Sequence, residues 1–175
     1  YKLATIEIPN SVTTLDDWVF SDCKILETVI IPEGIISIGK AVFQNCDALT
    51  SVIIPNTVTS IGESAFSNCK ALNSIKLPNN IKVIERNTFH SSGIENITLP
   101  ESLETIETWA FGLCKSLNSI ELSANLKSIG VEAFKDCKAL TEIVIPDSVE
   151  SISKGAFENC IVLASVTIGS GISQI

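Results

Sequence analysis

Apolar residues recur along this chain at intervals that fit neither one long helix nor one long strand. Around residue 50 they fall at Leu49, Val52, Ile54, Val58, Ile61, Ala65, Phe66 and Cys69, and the series restarts at Leu72. Written from its strand, the unit is L-x-x-I-x-I-P-x-x-V-x-x-I-G-x-x-A-F-x-x-C-x-x, 23 residues long. Its first part alternates. In Leu72-Asn73-Ser74-Ile75-Lys76-Leu77, side chains 75 and 77 face one way and 74 and 76 the other, which predicts a short strand. Pro78 ends that strand by withdrawing a ladder N–H. Ala65, Phe66 and Cys69 stand at i, i+1 and i+4, a spacing that predicts a single helical turn with one buried face. Gly39, Gly62 and Gly130 precede that turn, where the chain is expected to bend.

The unit repeats over the whole chain. Pro9, Pro32, Pro55 and Pro78 are 23 residues apart, and Pro100 and Pro146 continue the series with Ser123 in the slot between them. Phe20, Phe43, Phe66, Phe89, Phe111, Phe134 and Phe157 keep the same beat and are all seven of the phenylalanines. All six cysteines follow a Phe by three places, at Cys23, Cys46, Cys69, Cys114, Cys137 and Cys160. Seven units run from Ile8 to Thr167, with a half-unit at either end. The fourth, Leu77 to Thr98, is one residue short, because Phe89-His90-Ser91-Ser92-Gly93-Ile94 replaces Phe-x-x-Cys-x-x-Leu. That deletion is expected to be absorbed on the convex side or its edge. A unit with about eight inward apolar groups has no closed core of its own and gains one only by stacking on its neighbours. The expected fold is therefore an α/β repeat. It is a right-handed solenoid over residues 1–175 as one domain, with a parallel sheet on one wall and short helical turns opposite. The chain stops mid-unit, at Ile168-Gly169-Ser170-Gly171-Ile172-Ser173-Gln174-Ile175. Solenoid ends need polar caps, so the expectation is a fragment of a longer protein.

These phrases resemble the BspA-like branch of the leucine-rich repeats. The stretches Ile54-Pro55-Asn56-Thr57-Val58-Thr59-Ser60-Ile61-Gly62-Glu63-Ser64-Ala65-Phe66-Ser67-Asn68-Cys69 and Ile145-Pro146-Asp147-Ser148-Val149 carry the resemblance, which covers essentially the entire chain. The unit departs from the commoner L-x-x-L-x-L-x-x-N/C-x-L form. Its next apolar residue (Val58, Ile81) arrives one place early, and Thr57, Asn80 and Gly34 share the asparagine slot, so no asparagine ladder is expected. The resemblance implies a leucine-rich-repeat solenoid in a secreted or cell-surface protein of anaerobic bacteria or mucosal protists. Members are associated with adhesion to host proteins or to other microbes.

Composition narrows the partners. The chain is 45% apolar but 6% aromatic and has no Met. A net charge of -8 argues against nucleic acid, whose phosphates attract a Lys/Arg surplus, and against anionic lipid. No apolar run approaches the ~20 residues of a membrane span, so no membrane insertion is expected. Tyr1-Lys2-Leu3-Ala4-Thr5 already carries the repeat pattern rather than a signal peptide, and the start without Met is read as that of a mature or trimmed chain.

Candidate chemistry is sparse. Six thiols invite a disulfide framework. Their inward phase, and their division into Cys23/Cys46/Cys69 and Cys114/Cys137/Cys160, favour buried free thiols instead. No C-x-x-C metal pair exists. His90, the sole histidine, lies in the unit where Ser92 replaces Cys, and Ser21, Gln44, Ser67 and Gly112 occupy its position elsewhere. It is read as a solvated loop residue rather than the base of a Cys–His pair. Asp16/Asp17 and Glu104/Glu107 fall in outward columns, whereas acid–base carboxylates need a shielded site. With no G-x-S-x-G, H-E-x-x-H or phosphate-loop motif, no catalytic residue, metal or cofactor is expected. Trp18 and Trp109 fill the slot before the Ala-Phe pair, either as outward anchors or packed over a neighbouring turn. At roughly 20 Å apart they cannot form one hot spot. Asn96-Ile97-Thr98, the sole N-x-S/T sequon, falls on a strand and is read as a chance match.

The strand wall is the best binding candidate, because every repeat contributes to it. Its first outward column reads Thr5, Thr28, Ser51, Ser74, Asn96, Ser119, Glu142, Ser165, and its second reads Glu7, Ile30, Ile53, Lys76, Thr98, Glu121, Val144, Thr167. Ile30 and Ile53 are expected to be exposed neighbours, and with Thr28, Ser51, Ser74 and Lys76 they form the candidate partner-binding set. The expected function is a non-catalytic, monomeric protein-binding module of a secreted or cell-surface protein, with a host matrix or cell-surface protein as its partner. Both columns are small, mostly neutral and poor in the aromatic and Arg residues of hot spots. A structural spacer presenting another functional domain is therefore the alternative.

Overall fold

The computed structural model describes residues 4–173; the outermost parts of the expected 1–175 domain, 1–3 and 174–175, lie outside the described residues. The first wall consists of the parallel strands Thr5–Glu7, Thr28–Ile30, Ser51–Ile53, Ser74–Lys76, Asn96–Thr98, Ser119–Glu121, Glu142–Ile145 and Ser165–Ile168. Register is strict: Thr28 pairs with Thr5 and Ser51, and Ile30 with Glu7 and Ile53. Ladder bonding links the first three strands, the next three and the last two, and these blocks pack side by side. The outward–inward–outward phase read from the sequence holds through the stack, with Ile75 buried between exposed Ser74 and Lys76, whereas the last strand is exposed at all four positions.

After each strand the Pro carbonyl closes a tight turn, as where the Val58 N–H donates to the Pro55 carbonyl at 3.1 Å. Ser123, in the Pro slot, closes the same turn by accepting the Leu126 N–H at 3.0 Å, and its hydroxyl donates to the Glu101 carbonyl of the preceding coil at 2.9 Å. The chain then enters a second parallel wall of two-residue strands: Ser37–Ile38, Ser60–Ile61, Val83–Ile84, Thr105–Ile106, Ser128–Ile129 and Ser151–Ile152. The expectation of a single sheet wall is therefore corrected. Two residues suffice for a ladder when the neighbouring coil presents the same pair in register, as Ser128–Ile129 does to Thr105–Ile106 and Ser151–Ile152.

The helical turns are corrected as well, since the described residues contain no helix. Two slots per coil are left-handed, a conformation that ends a right-handed helix at once. One precedes the Ala-Phe pair (Trp18 φ 59, Ala41 φ 53, Ser64 φ 57, Asn87 φ 57, Trp109 φ 58, Glu132 φ 54, Gly155 φ 67). The other lies two residues after the Phe (Asp22, Asn45, Asn68, Ser91, Leu113, Asp136 and Asn159, with φ of 57 to 60). As a result backbone donors alternate in direction. The N–H groups of Ser64, Phe66 and Asn68 reach the carbonyls of Arg86, Thr88 and His90 in the next coil at 3.0, 2.9 and 2.8 Å. Those of Ala65, Ser67 and Cys69 close turns onto Gly62, Ser64 and Phe66 at 3.2, 3.0 and 3.3 Å. The bend is thus made two places after Gly39, Gly62 and Gly130, none of which is itself left-handed.

All three sides converge on one continuous core. The Phe rings form a column through the stack, with centroids 5.2 to 5.7 Å apart and planes within 18° of parallel. The short fourth unit loses its residue between the turn side and the first wall, which places Ile94 in the buried Leu slot. Gly93 bridges the gap: its N–H donates to the Cys69 carbonyl at 3.1 Å, and its Cα passes so near the Lys70 carbonyl that a Cβ would collide with it. Both walls keep their register across this unit.

Candidate functional site

All six candidate residues lie where the alternation places them. Thr28, Ile30, Ser51, Ile53, Ser74 and Lys76 are exposed on the first wall, while Val29, Val52 and Ile75 between them are buried. Ile30 and Ile53 are register partners with 61% and 57% of their surface in solvent. Two β-branched side chains on adjacent strands thus form an apolar spot, with Glu7 on one side of it and Lys76 on the other in the same column. Val144, 62% exposed further along that column between Glu121 and Thr167, was not singled out by the sequence reading. The wall is an open surface of outward side chains. Two shallow dips lie away from this wall, one beside Lys82, Glu104 and Lys127 and one beside Thr59, Asn80 and Glu85.

The thiols are free, as the phase predicts, and Cys46, Cys69, Cys114 and Cys137 are buried. Each donates to a carbonyl of the preceding coil: Cys46 to Phe20 at 3.2 Å, Cys69 to Phe43 at 3.1 Å, Cys114 to Phe89 at 3.0 Å and Cys137 to Phe111 at 3.2 Å. Burial pushes Cys46 and Cys114 up to about 12, and raises Cys69 and Cys137 as well. A thiolate nucleophile needs the opposite environment. Ser92 keeps the column going, 3.4 Å from the Cys114 sulfur. Among the described residues no three His, Cys, Asp or Glu side chains gather as a metal site.

His90 is not the solvated loop residue expected from sequence. It is half-buried and lies edge-on to Trp109, with ring centroids 5.3 Å apart, and burial lowers its basicity. Trp109 also carries the Lys135 ammonium 5.4 Å from its ring centroid. The indole lies over Gly112, where a Cβ would collide with the ring. Lys135 is held in turn by Glu132 at 3.4 Å and Glu158 at 3.2 Å. Trp109 is therefore half-buried packing over neighbouring turns, whereas Trp18, with Ser21 three places on, remains 54% exposed. The sequence signal for this cluster is the Trp-x-x-Gly spacing. One carboxylate of each outward pair is occupied locally: Asp17 accepts the Lys40 N–H at 2.7 Å, and Glu104 pairs with Lys82 at 3.1 Å.

Stacked coils and register-locked parallel strands with an outward column of side chains from every coil define a leucine-rich-repeat solenoid. The chain belongs to the BspA type leucine-rich repeat family, whose model matches in six copies over residues 1–117 and 82–175. It is similar to a leucine-rich repeat protein from Eubacterium ventriosum of known crystal structure, with 34% identity and a TM-score of 0.82. That match covers 89% of this chain and 42% of that protein, so the chain spans less than half of this relative's length. The T. pallidum leucine-rich repeat protein is 25% identical with a TM-score of 0.63, over 94% of this chain and 69% of that one. The pneumococcal vaccine antigen PcpA, 19% identical with a TM-score of 0.51 over 94% of this chain and 57% of that one, shares the fold. No curated protein matches the sequence. No helix among the described residues is long and apolar enough to cross a membrane.

Proposed function

We propose that the chain is a non-catalytic protein-binding module of a secreted or cell-surface protein, and that its binding surface is the N-terminal half of the first wall. One observation carries the reading. Ile30 and Ile53 stand adjacent and more than half exposed, with Thr28, Ser51 and Ser74 beside them and Lys76 next in their column. A small apolar centre inside a polar rim is the layout of a weak protein interface. Family membership supports the class of function, and the surface setting is what the BspA-like resemblance implies. The spacer reading is favoured by the short, neutral side chains that fill the rest of the first column apart from Glu142. The deciding experiment compares wild type with the double variant Ile30→Glu, Ile53→Lys for binding to immobilised matrix proteins and to cells. Loss of binding with an unchanged melt supports the wall. Undiminished binding by the double variant removes the wall, and inertness of the wild type leaves the spacer reading.

A further inference from the structure

The second outward column of the first wall reads Glu7, Ile30, Ile53, Lys76 over four neighbouring coils, with strict register from Glu7 through Ile53. This order is self-complementary. Consider a two-fold axis just outside the wall and parallel to its strands, level with the midpoint between Ile30 and Ile53. Rotation about it reverses the order of coils while keeping each column over itself and the strands aligned, the arrangement of packed sheets. Glu7 then faces the second copy's Lys76, Ile30 faces Ile53, Ile53 faces Ile30 and Lys76 faces Glu7. The first column contributes Thr5 against Ser74 and Thr28 against Ser51, small groups that let the walls approach. No like charges meet.

Neighbouring registers fail on the same residues. Centring the axis on Ile30 sets Glu7 over Ile53, a carboxylate desolvated on an apolar group. Moving it to between Ile53 and Lys76 sets Ile53 over Lys76 and Glu7 over Glu121, two like charges. The C-terminal apolar residue, Val144, has Glu121 and Thr167 as its column neighbours and so lacks the opposed charges.

We propose that this patch is a self-association site, and that the partner it fits is a second copy of the chain docked wall to wall in the antiparallel coil order just described. The proposal rests on the reading of the first wall as the binding surface and deepens it by naming an occupant. Four strands ~4.8 Å apart and about 10 Å long cover about 200 Å² per partner, well below the ~800 Å² of a stable interface. The dimer is accordingly weak. Dilute protein is monomeric, and association appears toward millimolar concentration or where copies are held together.

The test is sedimentation or diffusion of the chain over about 10 μM to 2 mM, with three variants whose changes are all on exposed side chains. Wild type is expected to show a concentration-dependent monomer–dimer equilibrium. Lys76→Glu opposes two carboxylates at both ends and is expected to weaken it about tenfold or more. The charge swap Glu7→Lys with Lys76→Glu is expected to restore it to within about threefold of wild type. Ile30→Lys with Ile53→Lys, which sets ammonium over ammonium, is expected to abolish it. A wild type that stays monomeric throughout, a dimer indifferent to Lys76→Glu, or a charge swap that fails to rescue would overturn the second copy as occupant. None of these results touches the wall reading, which stands or falls on partner binding by the Ile30→Glu, Ile53→Lys variant.

Discussion

At the scale of single residues, position in the unit decides chemistry. A cysteine in the slot three places after Phe acts as a small hydrophobe because its thiol is inward and hydrogen-bonded to the coil below. Burial grades along the stack, however: Cys23 and Cys160 are half-buried, and burial raises both above the ordinary thiol value. The expectation is therefore sequential. Native protein treated with a thiol reagent should gain label slowly and only at Cys23 and Cys160, and denatured protein at all six positions. Rapid modification of Cys69 in the folded state, located by peptide mass, would contradict the inward phase. His90 gives a second test. Burial depresses its folded-state value below the ordinary 6.5, so between those two values the unfolded chain binds the extra proton. The contribution of neutral His90 is thus fully present above pH 6.5 and is lost as pH falls toward the folded-state value. Between neutral pH and mildly acidic pH the melting midpoint of wild type should fall further than that of His90→Gln. Parallel pH profiles for the two proteins would show that burial does not hold the imidazole neutral.

At the scale of elements, the strands were legible and the turns were not, for physical reasons. Period-two alternation bounded by Pro admits one phase, so the exposure of Ser74 and Ile53 and the burial of Ile75 could be read directly. The spacing of Ala65, Phe66 and Cys69 suits a helical turn and equally a chain of tight turns, and only the sign of φ separates them. The signal present in the sequence was the second left-handed slot, where Asp22, Asn45, Asn68, Asp136 and Asn159 supply the side chains that tolerate that region. The first three also bond coil to coil, Asn68 to Asn45 at 2.9 Å and Asn45 to Asp22 at 3.1 Å. An Asn/Asp ladder therefore exists, at a slot other than the one compared with the common repeat. The Trp109 cluster was hidden because His90, Gly112 and Lys135 come from three consecutive coils. Two mutations test the turn argument. Asn68→Ala removes a ladder bond and puts an ill-suited residue at φ 59, and should cost about 1–2 kcal/mol in urea melts. Leu113→Asn relieves a non-Asx residue at φ 60 and should gain about 0.5–1 kcal/mol. Equal effects at both sites would mean that the left-handed slots carry no strain.

At the scale of the whole molecule, stability is a sum over neighbours, because each coil contacts only those above and below it. The Phe column makes this concrete. Phe66 is fully buried, with rings at 5.5 and 5.6 Å on its two sides. Phe66→Ala should therefore cost about 3–5 kcal/mol through lost transfer energy plus a cavity. Ser74→Ala, on the exposed wall, should stay within about 0.5 kcal/mol. The same logic predicts what whole-unit changes do. Excising residues 49–71, one full 23-residue unit, joins Ala48 to Leu72 in phase. The Pro, Phe and Cys columns remain continuous, each ladder loses one rung, and no side chain changes face. The shortened chain should fold with the same circular-dichroism shape and a cooperative melt at a lower midpoint, having lost one coil and one interface. Excising residues 49–60 instead would set Ile61 where Leu49 stood and throw the inward slots of one half against the outward slots of the other. That chain should fail to fold although fewer residues are removed. A cooperative, wild-type-like melt from the 49–60 deletion, or an unfolded 49–71 deletion, would show that the periodic register does not govern the stability of this solenoid.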